Sequence, residues 1–334
     1  MKLLFESAQN PHVICIAAEE RAIAADDDGI DGANPGGKRA GTAFFGSPQA
    51  AGGFDGLQAE KARIPFANVG LVKLPDEVSD EQAILISDIF PTGWFGADLA
   101  EVARGDTVAV FGCGPVGQFA IASARLKGAA RIIAVERYED RLGMARRQSA
   151  EVVNFEKEDP VQTILQLTDG IGVDRVIDAV GVDAMHAHEG PAAEQAKQQE
   201  QRFQQQRQEV APQQNPHDGQ WVPGDAPSQA LEWAVGAVAK AGTIGVIGVY
   251  PPQAHTFPIG ETMNMNLTVK AGNCPHRRYV PMLVDMVRAG VIDPMNILSK
   301  REPMQQVIQA YEAFDKREPG WLKVALQAMS AAAA

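Results

Sequence analysis

A glycine-rich turn between an apolar strand and a helix constrains this chain more than any other feature. The β-branched and apolar segment 107–111 leads into the spacing Gly-x-Gly-x-x-Gly over residues 112–117. A helical stretch follows to Leu126, and a second apolar strand ends at Glu136, nineteen residues after the last glycine. Glycines alone mark many kinds of turn. The order of strand, turn, helix, strand and acid is what indicates a dinucleotide-binding unit.

Each glycine of the turn has its own expected role. Gly112 permits the tight turn, Gly114 lets a pyrophosphate approach the backbone, and Gly117 lets the helix pack closely on the sheet. The helix N-terminus beyond Val116 offers N–H groups and a partial positive charge to phosphates. We therefore expect the pyrophosphate to lie at this turn.

Glu136 is expected to accept hydrogen bonds from the adenosine ribose. A charged hydrogen bond contributes roughly 1.5–3 kcal/mol, which is about ten- to a hundredfold in affinity. A carboxylate at this position also repels the 2′-phosphate of NADP, so the sequence favours NAD. Arg137 is a residue type that accommodates a 2′-phosphate, which leaves NADP open.

Six apolar strands alternate with helical stretches from residue 93 onward, which predicts an α/β fold with a doubly wound parallel, Rossmann-type sheet. The expected strands are Thr107–Phe111, Arg131–Val135, Glu151–Val153, Arg175–Asp178, Thr243–Ile247 and Leu267–Lys270. Ligands of such sheets bind at the carboxyl ends of the strands, where small residues leave room. The expected cofactor-binding residues are Gly112, Gly114, Pro115, Val116, Gly117, Glu136, Arg141, Ala179, Val180, Gly248 and Asn273.

Composition narrows the class of partner. The 334 residues allow two domains, and the net charge of −12 argues against nucleic acid and anionic membrane surfaces. Three dispersed cysteines exclude a disulfide scaffold and favour a reducing, cytoplasmic setting. No run of eighteen apolar residues occurs. We expect a small-molecule substrate, with neither a nucleic-acid nor a membrane partner.

Residues 185–227 interrupt the alternating pattern. They are rich in Gln, Ala, Glu and Pro, which predicts an exposed, partly mobile helix or loop between the fourth and fifth strands. A lid over the cofactor is the alternative interpretation. The expected domains are 1–88, a β-rich remnant; 89–273, the dinucleotide-binding domain that carries this insertion; and 274–334, which completes the first domain.

Several further motifs resemble one known family. They are Gly56–Glu60, Pro65–Asn68, Lys73–Asp76, Ser87–Gly93, Val108–Gly117, Ala122–Gly128, Asp178–Gly181, His186–Gly190 and Glu318–Trp321. On these residues the chain resembles the zinc-containing medium-chain alcohol dehydrogenases, and among them the glutathione-independent formaldehyde dehydrogenase branch. The resemblance implies NAD as cofactor and a GroES-like catalytic domain beside the Rossmann domain.

The resemblance also implies a catalytic zinc with a Cys, a His and an Asp as ligands and an open fourth position for the substrate oxygen. The Asp corresponds to Asp88 in the motif Ser-Asp-Ile-Phe-Pro-Thr-Gly. On residue type alone, a helix cap before Thr92 and Gly93 is the more common explanation of Asp88, and the motif match reverses that order. Asp88 is therefore the predicted catalytic and metal-binding residue.

The family's Cys and His ligand motifs do not occur in this sequence. Residues 16–40 contain no cysteine, so the four-cysteine structural zinc is expected to be absent. His12 and Cys15 have suitable chemistry, but their surroundings match no family motif. The sequence thus predicts a shortened amino-terminal catalytic domain and an incomplete zinc site. The apolar surface that such a shortening leaves is expected to pair with another subunit in a homo-oligomer.

Three functional hypotheses stay open from the sequence. The first is an NAD-dependent alcohol or formaldehyde dehydrogenase that transfers hydride from a small alcohol or aldehyde hydrate, with weak or lost activity. The second is a non-catalytic NAD-binding protein. The third is a zinc-free oxidoreductase of the quinone-reductase type, which Asp88 disfavours because such enzymes need no carboxylate there. An amino-terminus assigned too late in the gene would also explain the missing ligands.

Overall fold

The computed structural model describes the backbone of Val13–Cys15, residue 64, and residues 71–211 and 222–327. His12 and the side chain of Cys15 lie outside the described residues. The chain divides into two compact units. One combines the residues up to Thr92 with those from Asn273 onward, and the other is Gly93–Gly272. The expected domain boundaries lie after residues 88 and 273.

Helices and strands alternate through most of the described chain. The strands are β1 Val13–Cys15, β2 Leu71–Lys73, β3 Thr107–Phe111, β4 Arg131–Glu136, β5 Glu151–Asn154, β6 Val173–Asp178, β7 Val238–Val246, β8 Thr268–Ala271, β9 Lys300–Pro303 and β10 Val324–Gln327. The α-helices are α1 Asp80–Ile86, α2 Ile89–Leu99, α3 Pro115–Leu126, α4 Glu139–Arg147, α5 Pro160–Leu167, α6 Gly190–Val210, α7 Gln229–Ala237, α8 Ile259–Asn264, α9 His276–Arg288 and α10 Val307–Asp315.

The unit Gly93–Gly272 contains a parallel six-stranded sheet in the order β5-β4-β3-β6-β7-β8. The chain starts in the middle at β3, winds outward to β5, and crosses back to β6 on the other side. This is the strand order of a doubly wound Rossmann sheet, so the predicted fold class is confirmed. All six expected strands occur. Strand β7 begins at Val238 rather than Thr243, because Val238 also pairs with Val173 across an irregularity in the register.

Both faces of this sheet are buried, which explains the continuous Val and Ile runs in its strands. Successive residues of β3 point to opposite faces. Ala109 and Phe111 pack in one cluster of buried side chains. Val108 and Val110 pack in a second cluster. The carboxyl ends of the central strands are therefore held by a core on each side.

The insertion agrees with its prediction in part. Residues 190–210 form the 21-residue helix α6, and one of its faces is buried rather than exposed. Ala192 and Ala193 pack against the sheet core, and Phe203 is only 1% exposed. Most residues of the helix are exposed as predicted, and the prediction missed the buried face because it rested on the number of apolar residues. The few that occur recur at helical spacing and line one face.

The other unit contains smaller elements. Strands β1 and β2 pair antiparallel, and β9 and β10 pair parallel. Helix α1 begins with a capping box, in which Ser79 Oγ accepts from Gln82 N and Gln82 Oε1 accepts from Ser79 N. Among the described residues, no helix combines the length and the apolar character that crossing a bilayer requires.

Candidate functional site

The glycine-rich turn connects β3 to α3, and two of its glycines are required by the protein's own packing. Gly112 has a φ of +84°, and a Cβ there would lie 2.6 Å from Val180 Cγ2. A Cβ on Gly117 would lie 1.8 Å from Gly112 O. Gly114 differs, because the nearest atom to its Cβ would be Arg141 Nη1 at 3.9 Å. Gly114 therefore leaves open space of the kind that a ligand's phosphate needs.

Helix α3 begins directly beyond this space. Its N-cap is Gly114, which offers no side-chain cap, and Pro115 occupies the first helical position. The N–H groups of Val116 and Gly117 have no acceptor within the helix, as in any first helical turn. The turn is fixed by the buried Gln118, whose Nε2 donates to Cys113 O at 2.9 Å and to Arg141 O at 3.0 Å. The sequence analysis did not single out Gln118.

Glu136 is the last residue of β4 and is 6% exposed. Its Oε1 accepts from Arg137 N at 2.7 Å and from Tyr138 N at 3.4 Å. Its Oε2 accepts from Cys113 N at 3.1 Å, which ties the strand end to the glycine-rich turn. Arg141 Nη1 lies 3.5 Å from the same oxygen. The carboxylate thus has a structural role in the turn, and its ribose contact stays a prediction.

The two arginines near Glu136 are oriented differently. Arg137 Nη2 lies 2.8 Å from Glu156 Oε1, so its guanidinium is paired with a carboxylate other than Glu136. Arg141 is mostly buried beside Glu136 and Gly114 and places positive charge at the turn. A cation and a helix N-terminus meet here, which favours an anionic ligand.

Asp178 ends β6 and is fully buried. Its Oδ1 accepts from Val180 N at 2.9 Å and from Gly181 N at 3.2 Å, and its Oδ2 accepts from Tyr250 OH at 2.8 Å. Burial raises the pKa of Asp178, against the lowering effect of these hydrogen bonds. Burial and the neighbouring carboxylate raise the pKa of Tyr250, which keeps its hydroxyl protonated. The sequence analysis placed Asp178 at a strand end but gave neither side chain a role.

This network fixes the other predicted residues at the strand ends. Ala179 N donates to Phe111 O at 3.0 Å, and Gly248 N donates to Asp178 O at 2.9 Å. A Cβ on Gly248 would lie 2.2 Å from Gly181 N, so Gly248 is required by close packing. Close backbone packing, hydrogen bonds and one ion pair bring eight of the predicted cofactor-binding residues together. They are Gly112, Gly114, Gly117, Glu136, Arg141, Ala179, Val180 and Gly248. Asn273 belongs to the other unit, between β8 and α9.

Asp88 directly precedes α2 and contacts a histidine from the distant helix α9. Asp88 Oδ1 lies 2.9 Å from His276 Nε2 and accepts from Thr92 Oγ1 at 3.3 Å. The His276 side chain is 2% exposed, whereas that of Asp88 is 38% exposed. The sequence offered no signal for this pair, because 188 positions separate its members.

The described residues do not complete a catalytic zinc site at Asp88. Such a site takes three protein ligands, and Asp88 and His276 form no group of three ligands with any other described residue. Cys274 lies two residues before His276 and also forms no such group with them. Cys113 lies in the other unit, and burial raises the pKa of its thiol well above the ordinary value.

A family model described as Zinc-binding dehydrogenase matches residues 115–188, from the start of α3 to His188. An uncharacterized zinc-type alcohol dehydrogenase-like protein of Bacillus subtilis is 37% identical over 289 residues, which cover 85% of this chain and 70% of that protein. This chain belongs to the zinc-type alcohol dehydrogenase family. The resemblance drawn from the sequence motifs is therefore confirmed.

Two further relatives extend the family assignment. The solved structure of the alcohol dehydrogenase TADH from Thermus sp. ATN1 is 29% identical, with a TM-score of 0.68, and the match covers 86% of this chain and 69% of that one. The glutathione-independent formaldehyde dehydrogenase of Pseudomonas aeruginosa is 36% identical over 205 residues, covering 60% of this chain and 44% of that protein. The chain thus spans less than half of this formaldehyde dehydrogenase.

Proposed function

We propose that this member of the zinc-type alcohol dehydrogenase family binds NAD(H), with the pyrophosphate between Gly114 and the N-terminus of α3. The observation that carries the proposal is the contrast among the turn's glycines. Gly112 and Gly117 are required by internal packing, whereas Gly114 faces open space beside Arg141. Internal packing does not explain a glycine at that position, but a closely approaching phosphate does.

NAD rather than NADP is the proposed cofactor. Glu136 brings a carboxylate to the end of β4, where the adenosine ribose of a dinucleotide lies in such folds. Arg137, the alternative partner for a 2′-phosphate, is paired with Glu156. Both observations disfavour an additional phosphate at this position.

The proposed reaction is hydride transfer between a small alcohol or aldehyde hydrate and NAD. The nicotinamide ring supplies the hydride acceptor when NAD is bound. This chain's own contribution is to hold the pyrophosphate at the turn and to keep the strand ends rigid through Asp178 and Tyr250. Asp88 as a substrate-side residue stays part of the proposal, as do a cytoplasmic location and a homo-oligomer.

A second candidate function is NAD binding without catalysis. The direct contact between Asp88 and His276 favours it, because His276 engages the carboxylate oxygen that would otherwise ligate a metal. An alcohol-oxidation assay with NAD⁺ separates the two candidates. NADH formation above the rate of a Gly114→Ala variant supports the enzyme, and NADH binding without turnover supports the binding protein.

The first test of cofactor binding is Gly114→Ala. The added methyl has room in the protein itself, so the variant is expected to fold like the parent. It would occupy the space proposed for the pyrophosphate. We expect NADH affinity, measured by nicotinamide fluorescence, to fall about tenfold or more, equivalent to roughly 1.4 kcal/mol of steric conflict. Gly143→Ala, inside α4 with no Cβ neighbour closer than 3.8 Å, is the matched control. Unchanged affinity in Gly114→Ala contradicts the proposal.

The second test is Glu136→Gln, with NADH and NADPH titrated side by side. We expect NADH affinity to fall about 10- to 100-fold while NADPH affinity rises or stays constant. The ratio of the two affinities is the informative quantity, because general damage to the turn lowers both. Glu139→Gln, an exposed carboxylate in the first turn of α4, serves as control. A ratio equal to that of the parent rules out the ribose role of Glu136.

A further inference from the structure

Two histidines and an aspartate converge where the insertion joins the sheet domain. His186 and His188 precede α6, and Asp225 precedes α7. Their ligand atoms all lie within 4.8 Å of one another. Asp225 Oδ2 lies 3.2 Å from His188 Nε2 and 3.5 Å from His186 Nε2. The dinucleotide-binding proposal does not involve these three side chains.

The other nitrogen of each ring also faces an oxygen. His186 Nδ1 lies 2.8 Å from Ala187 O, and His188 Nδ1 lies 3.2 Å from Glu156 Oε1. A neutral imidazole carries one N–H. If Nδ1 donates to these oxygens, both Nε2 atoms present lone pairs toward the Asp225 carboxylate. A cation between the two rings and the carboxylate makes that arrangement favourable.

A single cation between the three side chains satisfies this arrangement. The ring centroids of His186 and His188 are 4.5 Å apart, and the Nε2 atoms of both rings face the same oxygen of Asp225. A divalent metal ion would accept both Nε2 lone pairs and the Asp225 oxygen together. For tetrahedral zinc with bonds of about 2.0–2.1 Å, ligand atoms are about 3.3 Å apart. The two nitrogen–oxygen distances of 3.2 and 3.5 Å bracket that value.

The surroundings have the features of a metal site's outer shell. Metal-binding histidines usually donate their second N–H to a carboxylate or a backbone carbonyl, as Glu156 and Ala187 allow here. Glu156 Oε2 also accepts from His188 N at 2.7 Å, and Arg137 holds its other oxygen. The three ligand side chains are between 23% and 43% exposed, so an ion can enter from solvent.

We propose that His186, His188 and Asp225 bind a divalent transition-metal ion, with Zn²⁺ the best fit for two imidazoles and one carboxylate. The ion joins the two ends of the insertion. The backbone already runs side by side there, with Gly224 N donating to Val182 O and Ala226 N to Ala184 O. A bound ion therefore closes the loop that contains α6 and stabilises its docking on the sheet.

The test is a Zn²⁺ titration of chelator-stripped full-length protein in competition with a chromophoric chelator. The parent is expected to bind one Zn²⁺. Loss of an outer-shell partner typically lowers metal affinity about 10- to 100-fold, so His186→Gln and His188→Gln, which remove a ligand, should each lower Zn²⁺ affinity by more than that. Glu156→Gln, which changes a carboxylate outside the ligand set, is expected to weaken Zn²⁺ binding by about 10- to 100-fold. Zn²⁺ should raise the Tm of the parent but not of His188→Gln.

Two controls keep the result specific. His255→Gln changes an exposed histidine in the same unit and should leave Zn²⁺ affinity unchanged. Asp88→Asn separates this site from the family's catalytic position and should also leave it unchanged. Asp225→Asn provides a third ligand variant if either histidine variant fails to fold, as judged by circular dichroism. Parent-like Zn²⁺ affinity in folded ligand variants overturns the proposal, whatever the outcome for NADH binding.

Discussion

The glycine-rich turn and the Asp88–His276 pair are held together by different parts of the chain. The turn is built from backbone, and its shape follows from the absence of side chains at Gly112 and Gly117. The pair is built from two side chains whose segments are 188 positions apart. Changing the turn requires filling backbone space, whereas one altered side-chain atom disrupts the pair. The glycine-rich turn is therefore insensitive to substitutions on the surface, whereas the contact between Asp88 and His276 is lost when either side chain is changed.

Gly117→Ala is the change with the largest expected effect on this comparison. Its Cβ would lie 1.8 Å from Gly112 O, and backbone cannot yield as a flexible side chain can. We expect a loss of about 3 kcal/mol in the free energy of unfolding, the upper end of ordinary overpacking. Urea denaturation followed by circular dichroism measures it, and NADH binding is expected to be lost as well.

Gly114→Ala is the matched variant in the same turn. Its free energy of unfolding should be unchanged or raised by up to about 1 kcal/mol, because alanine restricts the unfolded chain. The two variants thus separate packing from ligand space within one loop. Equal destabilisation of both would show that the turn's glycines do not differ as the geometry indicates.

Asp88→Asn has the next largest expected effect and acts on the other region. It removes a charged hydrogen-bond acceptor from the buried His276, so we expect a loss of about 1.5 kcal/mol in the free energy of unfolding. Asp76→Asn, at an exposed position of the same unit, is the control.

Elemental analysis of the parent and of Asp88→Asn tests whether Asp88 belongs to a zinc site. The incomplete zinc site predicted from the sequence implies that the parent and Asp88→Asn contain equal amounts of zinc. One equivalent present in the parent and lost in Asp88→Asn would show that Asp88 belongs to a complete zinc site.

The same contrast explains what the sequence could predict. The six strands and the glycine-rich turn were predictable because strand burial and turn geometry are imposed by neighbouring residues. His276 was not, since nothing near it in the chain marks its contact with Asp88. Gln118 and Tyr250 escaped notice for a related reason. A polar residue in an apolar stretch acquires a role only from partners that the fold brings to it.

The insertion shows the limit of composition as a guide. Its high content of Gln and Glu predicted exposure, yet Phe203 and several alanines pack against the core. A helix needs only one apolar stripe to dock. The spacing of those residues was present in the sequence and would have predicted the buried face. The convergence of His186, His188 and Asp225 depends on the two ends of the insertion meeting, which local spacing does not encode.

The smallest expected change in the free energy of unfolding comes from an exposed ion pair between the first residues of β4 and β5. It serves as a comparison for the pair that contains the buried His276. Arg131 Nε and Nη2 each lie 2.9 Å from an oxygen of Glu151, and these hydrogen bonds lower the pKa of Glu151 from its ordinary 4.5. The pair therefore stabilises the folded state above pH 4.5 and loses its effect as the pH falls through the lowered pKa.

Glu151→Gln should then reduce the free energy of unfolding by only about 0.5 kcal/mol at pH 7, because solvent screens a pair this exposed. Its difference from the parent should shrink as the pH falls below 4.5, since protonated Glu151 no longer pairs with Arg131. Urea midpoints across this pH range measure the effect, with the exposed Glu77→Gln as control. An effect as large as that of Asp88→Asn, or one that grows as the pH falls, would mean that burial does not separate the two pairs as argued.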